Sequence, residues 1–343
     1  MQNIISGSRR FCQHSLPMKV AQMQNTIPAS PSGAFHGQPA PAQKPSLHFA
    51  SQSSTRISKA FDEALCLPLK KCSKYILLSD CHRGTGSAND NFLKNEYLYL
   101  AALNYYYCRG FTYLELGDGD ELWENRSLAK IKDMHVQSFR MMSRYYSGGR
   151  LYVIYGNHDM VKKQPDFRQK YFQSFYCERA MQELPLCPGI RFYSGIILRD
   201  EEHKKDIYLT HGHQADPLNS TFWRLSRFLV RYVWKPLEGL GVPDPTSAAK
   251  NNIKKKKSEE RLTRWAVENG HLLVTGHTHH PMIGTKESPY FNTGSCIHPS
   301  GITGIEIENR CLTLVKWSTQ AAADLTLQAT REVLGETVCV DDY

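Results

Sequence analysis

Short apolar runs ending in Gly, Asp, His or Asn alternate with amphipathic text along most of the chain. Tyr75-Ile76-Leu77-Leu78-Ser79 opens the series, and Thr112 to Leu116, Leu151 to Tyr155, Arg191 to Leu198, Asp206 to Thr210 and Leu272 to Thr275 continue it. Runs this short, rich in Leu, Ile, Val and Tyr, predict buried strands. Between the first two, Asn91 to Cys108 reads as a helix closed by Gly110. The alternation predicts an α/β chain with partly parallel strands. Later the text changes: Tyr290 to Asn292, Ile302 to Glu308 and Leu312 to Trp317 read as meander or hairpin strands, with a turn at Asn309-Arg310. Two sheets with helices outside them are expected.

The ends and one interior stretch depart from this pattern. Residues 1–54 are rich in Ser, Pro, Gln, Ala and Gly with no periodicity that buries a face, and they read as a disordered extension. Folded sequence is expected over 55–320, starting with a short helix from about Arg56 to Ala64, and 321–343 as a frayed tail. Within 214–265, Phe222, Trp223, Leu225, Phe228, Leu229, Tyr232, Val233 and Trp234 fall at helical spacing among Arg224, Arg227 and Arg231. Pro236, a Gly/Pro turn at 239–245 and a second helix carrying Lys254 to Lys257, Arg261 and Arg264 follow. This stretch reads as an inserted helical cap. Its aromatic stripe is expected to pack on the core, the alternative being peripheral membrane or acyl contact.

With 42 Lys and Arg against 33 Asp and Glu, the 343 residues carry a formal charge of +9, which favours anionic partners: phosphates, nucleic acids or acidic headgroups. No run of about 18 apolar residues is present, so a transmembrane segment is not expected; nor does the start resemble a secretory signal. The ten cysteines form no CxxC pair and read as buried or free thiols in a reducing compartment, with a cytoplasmic location as the default.

Five segments just past predicted strand ends hold the chemistry: Asp80-Cys81-His82, Gly117-Asp118, Gly156-Asn157-His158-Asp159, His211-Gly212-His213 and Gly276-His277-Thr278-His279. Strand ends of this kind are where α/β folds place ligands. Residues i and i+2 of an extended segment point the same way, so Asp80 and His82 can reach one ion together, and the same spacing recurs in His277 and His279. Hydrolysing a phosphate ester requires an activated water and compensation of phosphoryl charge, and two cations about 3.5–4 Å apart supply both. A carboxylate with spare lone pairs can bridge them.

Taken in order, the five segments resemble the calcineurin-like metallophosphoesterase superfamily over roughly residues 72–318. The resemblance implies a four-layer β-sandwich flanked by helices with an inserted cap. It further implies that Asp80, His82 and His279 bind one divalent ion, that Asn157, His211 and His277 bind a second, and that Asp118 bridges them. His158 would donate a proton to the leaving group or stabilise the transition state, with Glu121 holding its imidazole. Manganese is the expected metal, with iron, zinc or cobalt accepted by the same donors.

The run Asp120-Glu121-Leu122-Trp123 departs from the Asp-Arg-Gly of phosphoprotein phosphatases and disfavours that activity. The Gly-Asp-x-x-Glu pattern and the insert are similar to UDP-2,3-diacylglucosamine hydrolases, although those carry Arg where this chain has His158. A phosphorylated small molecule, a nucleotide sugar or a lipid-linked phosphate is the substrate so implied; alternatives are a nuclease or nucleotide phosphodiesterase, and a non-catalytic scaffold. Other residues near the segments read more plainly: His213, His280 and His298 as supporting or surface imidazoles, Cys81 as core packing, and Asp120 and Asp159 as hydrogen-bond acceptors or turn formers. Arg83 reads as a phosphate contact or a surface salt bridge, and Lys254 to Lys257 as a solvated face or a steering patch.

Overall fold

The computed structural model describes residues 47–343 apart from 88–89, 178–180 and 235–251. In β2 (Lys74–Leu78), Tyr75 and Leu77 point one way and Ile76 and Leu78 the other, as the pleat requires. Tyr75 and Leu77 share an apolar cluster with Leu114 of β3 (Thr112–Leu116), Ile154 of β4 (Leu151–Ile154), Leu209 of β9 (Ile207–Thr210) and Val274 of β10 (Leu272–Thr275). Ile76 and Leu78 join a second cluster with Tyr99 and Leu103 of α2 (Glu96–Cys108) and with Phe139 and Tyr145 of α4 (Val136–Ser147). A third cluster joins Leu273 and Tyr290 to Ile57 of α1 (Leu47–Lys59) and to Leu262, Trp265 and Ala266 of α8 (Asn252–Asn269). Helices, sheet, sheet and helices thus form four layers, as expected.

Among the described residues one sheet runs β1 (Leu65–Pro68), β8 (Gly195–Arg199), β9, β10 and β11 (Tyr290–Asn292). The other runs β14 (Leu327–Val333), β13 (Cys311–Ala321), β12 (Ile302–Glu308), β2, β3, β4 and β7 (Phe192–Tyr193). Strands β2, β3, β4 and β7 are mutually parallel, as are β9, β10 and β11, so each sheet presents several C-terminal ends along one edge. No helix among the described residues is long and apolar enough to cross a membrane.

Several expectations are corrected. Arg191 to Leu198 is two strands, β7 and β8, which belong to different sheets because the chain crosses between them at Ser194. Tyr290–Asn292 pairs parallel with β10 instead of joining the later meander. Residues 47–54, expected within the extension, lie in α1, which Arg56 Nε ties to the Gln214 carbonyl at 3.0 Å; residues 1–46 lie outside the described ones. The tail is not frayed: β13 runs on to Ala321 and pairs antiparallel with β14, and Val340 is buried. Not all cysteines are free. Antiparallel pairing of β13 with β15 (Val338–Cys339) sets Cys311 opposite Cys339, and the two form a disulfide; Cys12 lies outside the described residues.

One buried polar group has a consequence for stability. His135, between α3 (Leu128–Met134) and α4, lies with Nε2 2.9 Å from Asp90 Oδ2 and Nδ1 3.1 Å from Glu96 Oε2. Burial opposes its charge, but the two carboxylates outweigh burial and lift its pKa to about 9 from an ordinary 6.5. A raised imidazole stabilises the fold fully below pH 6.5 and loses that contribution as pH rises toward about 9. Between those limits, wild type is expected to lose about 1 to 2 kcal/mol more than a His135→Gln variant, allowing for solvent screening. Parallel denaturant titrations that fall equally with pH would refute this coupling.

Candidate metal centre

Strands β2, β3, β4, β9 and β10 end together, and the segments after them meet. Asp80, His82 and His279 offer one ligand atom each within 4.8 Å of one another, as do Asp118, His211 and His277. Asn157 is placed beside them by its neighbours, since the His158 backbone N–H donates to Asp118 Oδ1 at 2.8 Å. The side chain of Asn157 is buried. Six of the seven expected ligands therefore have donor atoms brought together, and the turn that carries Asn157 adjoins them.

The backbone bends hard to achieve this. Asp80, His82, Asp118, His277 and His279 have φ of 52°, 46°, 49°, 69° and 55°, the left-handed region that costs a non-glycine residue about 1–3 kcal/mol. Strain at five expected ligands survives only where surrounding contacts over-determine the turns. Some are backbone bonds that continue the β2–β3 ladder: Asp80 N–H to the Gly117 carbonyl at 3.1 Å, His82 to Asp118 at 2.9 Å and Arg83 to Gly119 at 3.0 Å. Gly156 allows the closest approach, because a Cβ there would run into Asp118 Oδ1.

Which ring nitrogen each imidazole presents follows from its other partner. His211 Nδ1–H donates to the Leu116 carbonyl at 2.8 Å, which leaves Nε2 as a lone pair facing Asp118 Oδ2 at 3.1 Å. His82 Nδ1–H donates to Glu121 Oε2 at 2.9 Å, which leaves its Nε2 3.3 Å from His279 Nε2 and 3.7 Å from Asp80 Oδ1. With these tautomers acceptors confront acceptors, and they repel unless a proton or a metal cation sits between them. Asp80 Oδ1, Asn157 Oδ1, His211 Nε2 and His277 Nε2 are buried without a hydrogen-bond partner, a state that folded proteins rarely tolerate. This mixture of carboxylate, amide oxygen and imidazole fits divalent transition metals, and histidines anchored through their second nitrogen are the usual form of such ligands.

Charge within the protein alone is poorly shared. Burial opposes an imidazolium at His211, but Asp118 and Asp80 raise its pKa to about 9, while burial and His211 itself drive His277 down to about 3. Despite burial, His279 and His211 hold the Asp80 carboxyl well below the usual range, and His211 and His158 do the same for Asp118. Bound divalent metal would satisfy these acids and ring nitrogens.

His158 stands at the edge, less buried than the ligands. Its Nδ1 is 2.9 Å from Glu121 Oε1, its ring stacks on Trp123 at 4.3 Å, and its centroid lies 4.7 Å from that of His82. Glu121 therefore orients two imidazoles with one carboxylate. His158 also falls within 4.8 Å of ligand atoms of His82 and Asp118.

The remaining candidates separate clearly. Cys81 is core. His280 is half exposed and bonds Glu259, and His298 bonds Ser300 at the surface. His213 is buried with Nδ1 unpartnered. Arg83 is neither a phosphate contact nor a surface salt bridge: it is fully buried and bonds Glu115 and Asp120. Sequence reasoning missed Glu115, Lys162, Asn292 and Glu259. Asn292 Nδ2 donates to the Gly276 carbonyl at 2.7 Å, and Glu259 accepts from Thr278 Oγ1 at 2.9 Å, so both fix the His277–His279 turn. Both partners lie 16 to 19 residues from the groups they hold, which hid them.

Part of the expected cap, 235–251, lies outside the described residues. The rest is largely helical, including α7 (Trp223–Leu229), and part of the apolar stripe expected to pack on the core does not: Phe222, Leu225, Phe228 and Tyr232 are about half exposed. The cap instead reaches the site through Arg231, whose guanidinium donates to the carbonyls of Leu122, Trp123 and Asn125 at 2.7, 2.8 and 3.2 Å.

Residues 73–281, more than half of the chain, match the sequence profile of a family described as calcineurin-like phosphoesterase. Among solved structures, a conserved uncharacterized protein of Streptococcus pneumoniae, described as a predicted phosphoesterase, shares 15% identity and a TM-score of 0.31, over 76% of this chain and 98% of that one. No curated protein matches the chain.

Proposed function

The chain belongs to the calcineurin-like phosphoesterase family and is a metal-dependent phosphoester hydrolase; from that premise we propose that it holds two divalent cations together and splits a phosphate ester or pyrophosphate by direct attack of water. The observation that carries the dinuclear reading is Asp118, whose Oδ2 lies 3.1 Å from His211 Nε2 and 3.8 Å from His82 Nε2, imidazoles that belong to the two different donor groups. Asp80, His82 and His279 would hold one ion and Asn157, His211 and His277 the other. When bound, such a pair supplies an acidified water and positive charge opposite the phosphoryl oxygens. His158 holds a proton for the leaving oxygen, and Glu121 keeps that ring turned toward it. Manganese suits the mixed oxygen and nitrogen donors.

For the substrate, we favour a nucleotide-sugar or lipid-linked pyrophosphate. The supporting feature is the exposed row Phe222, Leu225, Phe228 and Tyr232 on a helix that Arg231 fastens to the loop carrying Glu121. An apolar row beside a phosphoryl site suits a substrate with an acyl or other apolar part.

The test is metal content and turnover of the manganese-reconstituted chain against a panel of monoesters, diesters, nucleotide-sugar pyrophosphates, acylated pyrophosphates, DNA and RNA. About two ions per chain and turnover of pyrophosphates are expected. Fewer than one ion per chain would favour a scaffold, and cleavage of nucleic acid alone would favour a nuclease. A Leu225→Ser, Phe228→Ser double variant is expected to lose about tenfold or more in kcat/KM on an acylated pyrophosphate and nothing on p-nitrophenyl phosphate. Equal losses on both would remove the apolar row from specificity.

A further inference from the structure

Behind the ligands, out of reach of any substrate, lies a buried row of charges that the chemistry above does not use. Glu115 sits on β3. Arg83 donates to it through Nη1 and Nη2, each at 2.9 Å, and through Nε to Asp120 Oδ1 at 2.7 Å. Lys162 Nζ lies 2.7 Å from the other Asp120 oxygen and 2.6 Å from Asp159 Oδ2. Asp159 completes the row with two backbone bonds: Oδ1 accepts the Gly156 N–H at 2.7 Å, and Oδ2 the Gly119 N–H at 3.1 Å. The ion-paired side chains are 0–1% exposed.

The placement is regular. Arg83 follows His82, Asp120 lies two residues after Asp118, and Asp159 lies two after Asn157. Three of the five charges, Arg83, Asp120 and Asp159, thus belong to turns that carry an expected ligand, and the Asp159 carboxylate spans the turns after β3 and β4. Gly119 presses against the row, because a Cβ there would strike the Glu115 carboxylate and lie 2.5 Å from Arg83 Nη2.

Such a cluster is a poor device for stability alone. Burying ions costs several kcal/mol each, and apolar replacement of a whole buried ionic cluster is often neutral or stabilising. What it provides is direction: fixed partners at fixed distances on turns whose left-handed residues, His82 and Asp118, would otherwise relax. Three carboxylates against two cationic side chains also leave one negative charge in excess behind a site that gathers cations.

We propose that Lys162 and Asp159, backed by Arg83, Asp120 and Glu115, are positioning residues that lock the Asp118 turn to the Asn157 turn, so that the two cation sites form as one unit. This rests on the dinuclear reading. Neither residue touches substrate; each acts through the backbone that presents Asp118 and Asn157.

The experiment uses the full chain reconstituted with manganese and reads the ions directly, by metal content and by the electron paramagnetic resonance of a spin-coupled manganese pair. Lys162→Met is expected to keep its far-ultraviolet circular dichroism, to weaken the second manganese by about 10- to 100-fold and to lose the coupled signal. On bis-p-nitrophenyl phosphate kcat should fall by about the same factor with KM little changed, and Lys162→Arg should recover part of it. Asp159→Asn, nearly the same size, removes the charge without leaving a cavity and should behave alike; it carries the test if Lys162→Met does not fold. A folded Lys162→Met or Asp159→Asn protein with two coupled ions at wild-type affinity overturns the proposal. A wild-type chain that never shows a coupled pair fails at the earlier step and removes the dinuclear reading itself.

Discussion

Asp118→Asn is expected to abolish turnover and to leave the protein with at most one tightly bound cation. The carboxylate approaches an imidazole of each donor group: one oxygen accepts the His158 N–H at 2.8 Å, and the other faces His211 Nε2 at 3.1 Å and His82 Nε2 at 3.8 Å. An amide keeps the shape and one acceptor. It loses the charge, and it turns an NH2 group toward a ring nitrogen that its neighbour Leu116 has already made an acceptor. A bridging position offered an amide instead of a carboxylate cannot neutralise two dications, so kcat should fall by at least about a thousandfold. Folding should survive, since the substitution is isosteric and removes a buried charge. Elemental analysis after manganese reconstitution, beside rates on bis-p-nitrophenyl phosphate, decides the matter. Two ions per chain and an undiminished rate would show that Asp118 bridges nothing.

His158→Ala is expected to do the converse, lowering turnover while both cations stay bound. The ring reaches Glu121 on one side and stacks on Trp123, and its backbone, not its imidazole, contacts Asp118. Loss of a proton donor costs about 10²- to 10⁴-fold. The loss should be large for substrates with a basic leaving alcohol and small for p-nitrophenyl esters, whose leaving group needs no proton. Burial disfavours the imidazolium, but Glu121 and Asp118 more than compensate and hold the His158 pKa above its ordinary value. In rate profiles on a basic leaving group, the alkaline limb should therefore move to lower pH in Glu121→Gln, where one of those two carboxylates is gone. Loss of manganese from His158→Ala would instead make this imidazole a ligand, which its proximity to His82 and Asp118 permits geometrically.

The contrast between the two variants depends on a distinction that residue types alone do not make. Asp80, His82, Asp118, Asn157, His211, His277 and His279 are all polar residues following apolar runs, and that much is visible in the sequence. So is His158. Whether an imidazole points its Nε2 or its Nδ1 inward depends on the Leu116 carbonyl for His211 and on the Glu121 carboxylate for His82, groups that are 95 and 39 residues away. Arg83 shows the same limit more sharply. Adjacent to a ligand, and polar, it reads as a group at the mouth of the site; only the register of β2 against β3, with Arg83 beside Asp120 in a parallel bridge, turns it into the interior.

Sequence by itself determined the strand ends and the inventory of donors, because period-two burial and strand-ending residues are local properties that a few neighbours decide. Which face of the buried strand Tyr75 to Ser79 meets which layer came from the structure: Tyr75 and Leu77 turn toward the other sheet, and Ile76 and Leu78 toward the helices. Tertiary structure alone decided which run splits between sheets at Ser194, that the C-terminal residues add strands and a Cys311–Cys339 bridge, and that the cap leaves its apolar row in solvent. It alone also joined Glu115, Arg83, Asp120, Lys162 and Asp159 into one buried row. Each of those outcomes depends on contacts between residues far apart in the chain, whose free energy appears only when the sheets assemble and bring unlike segments to the same place.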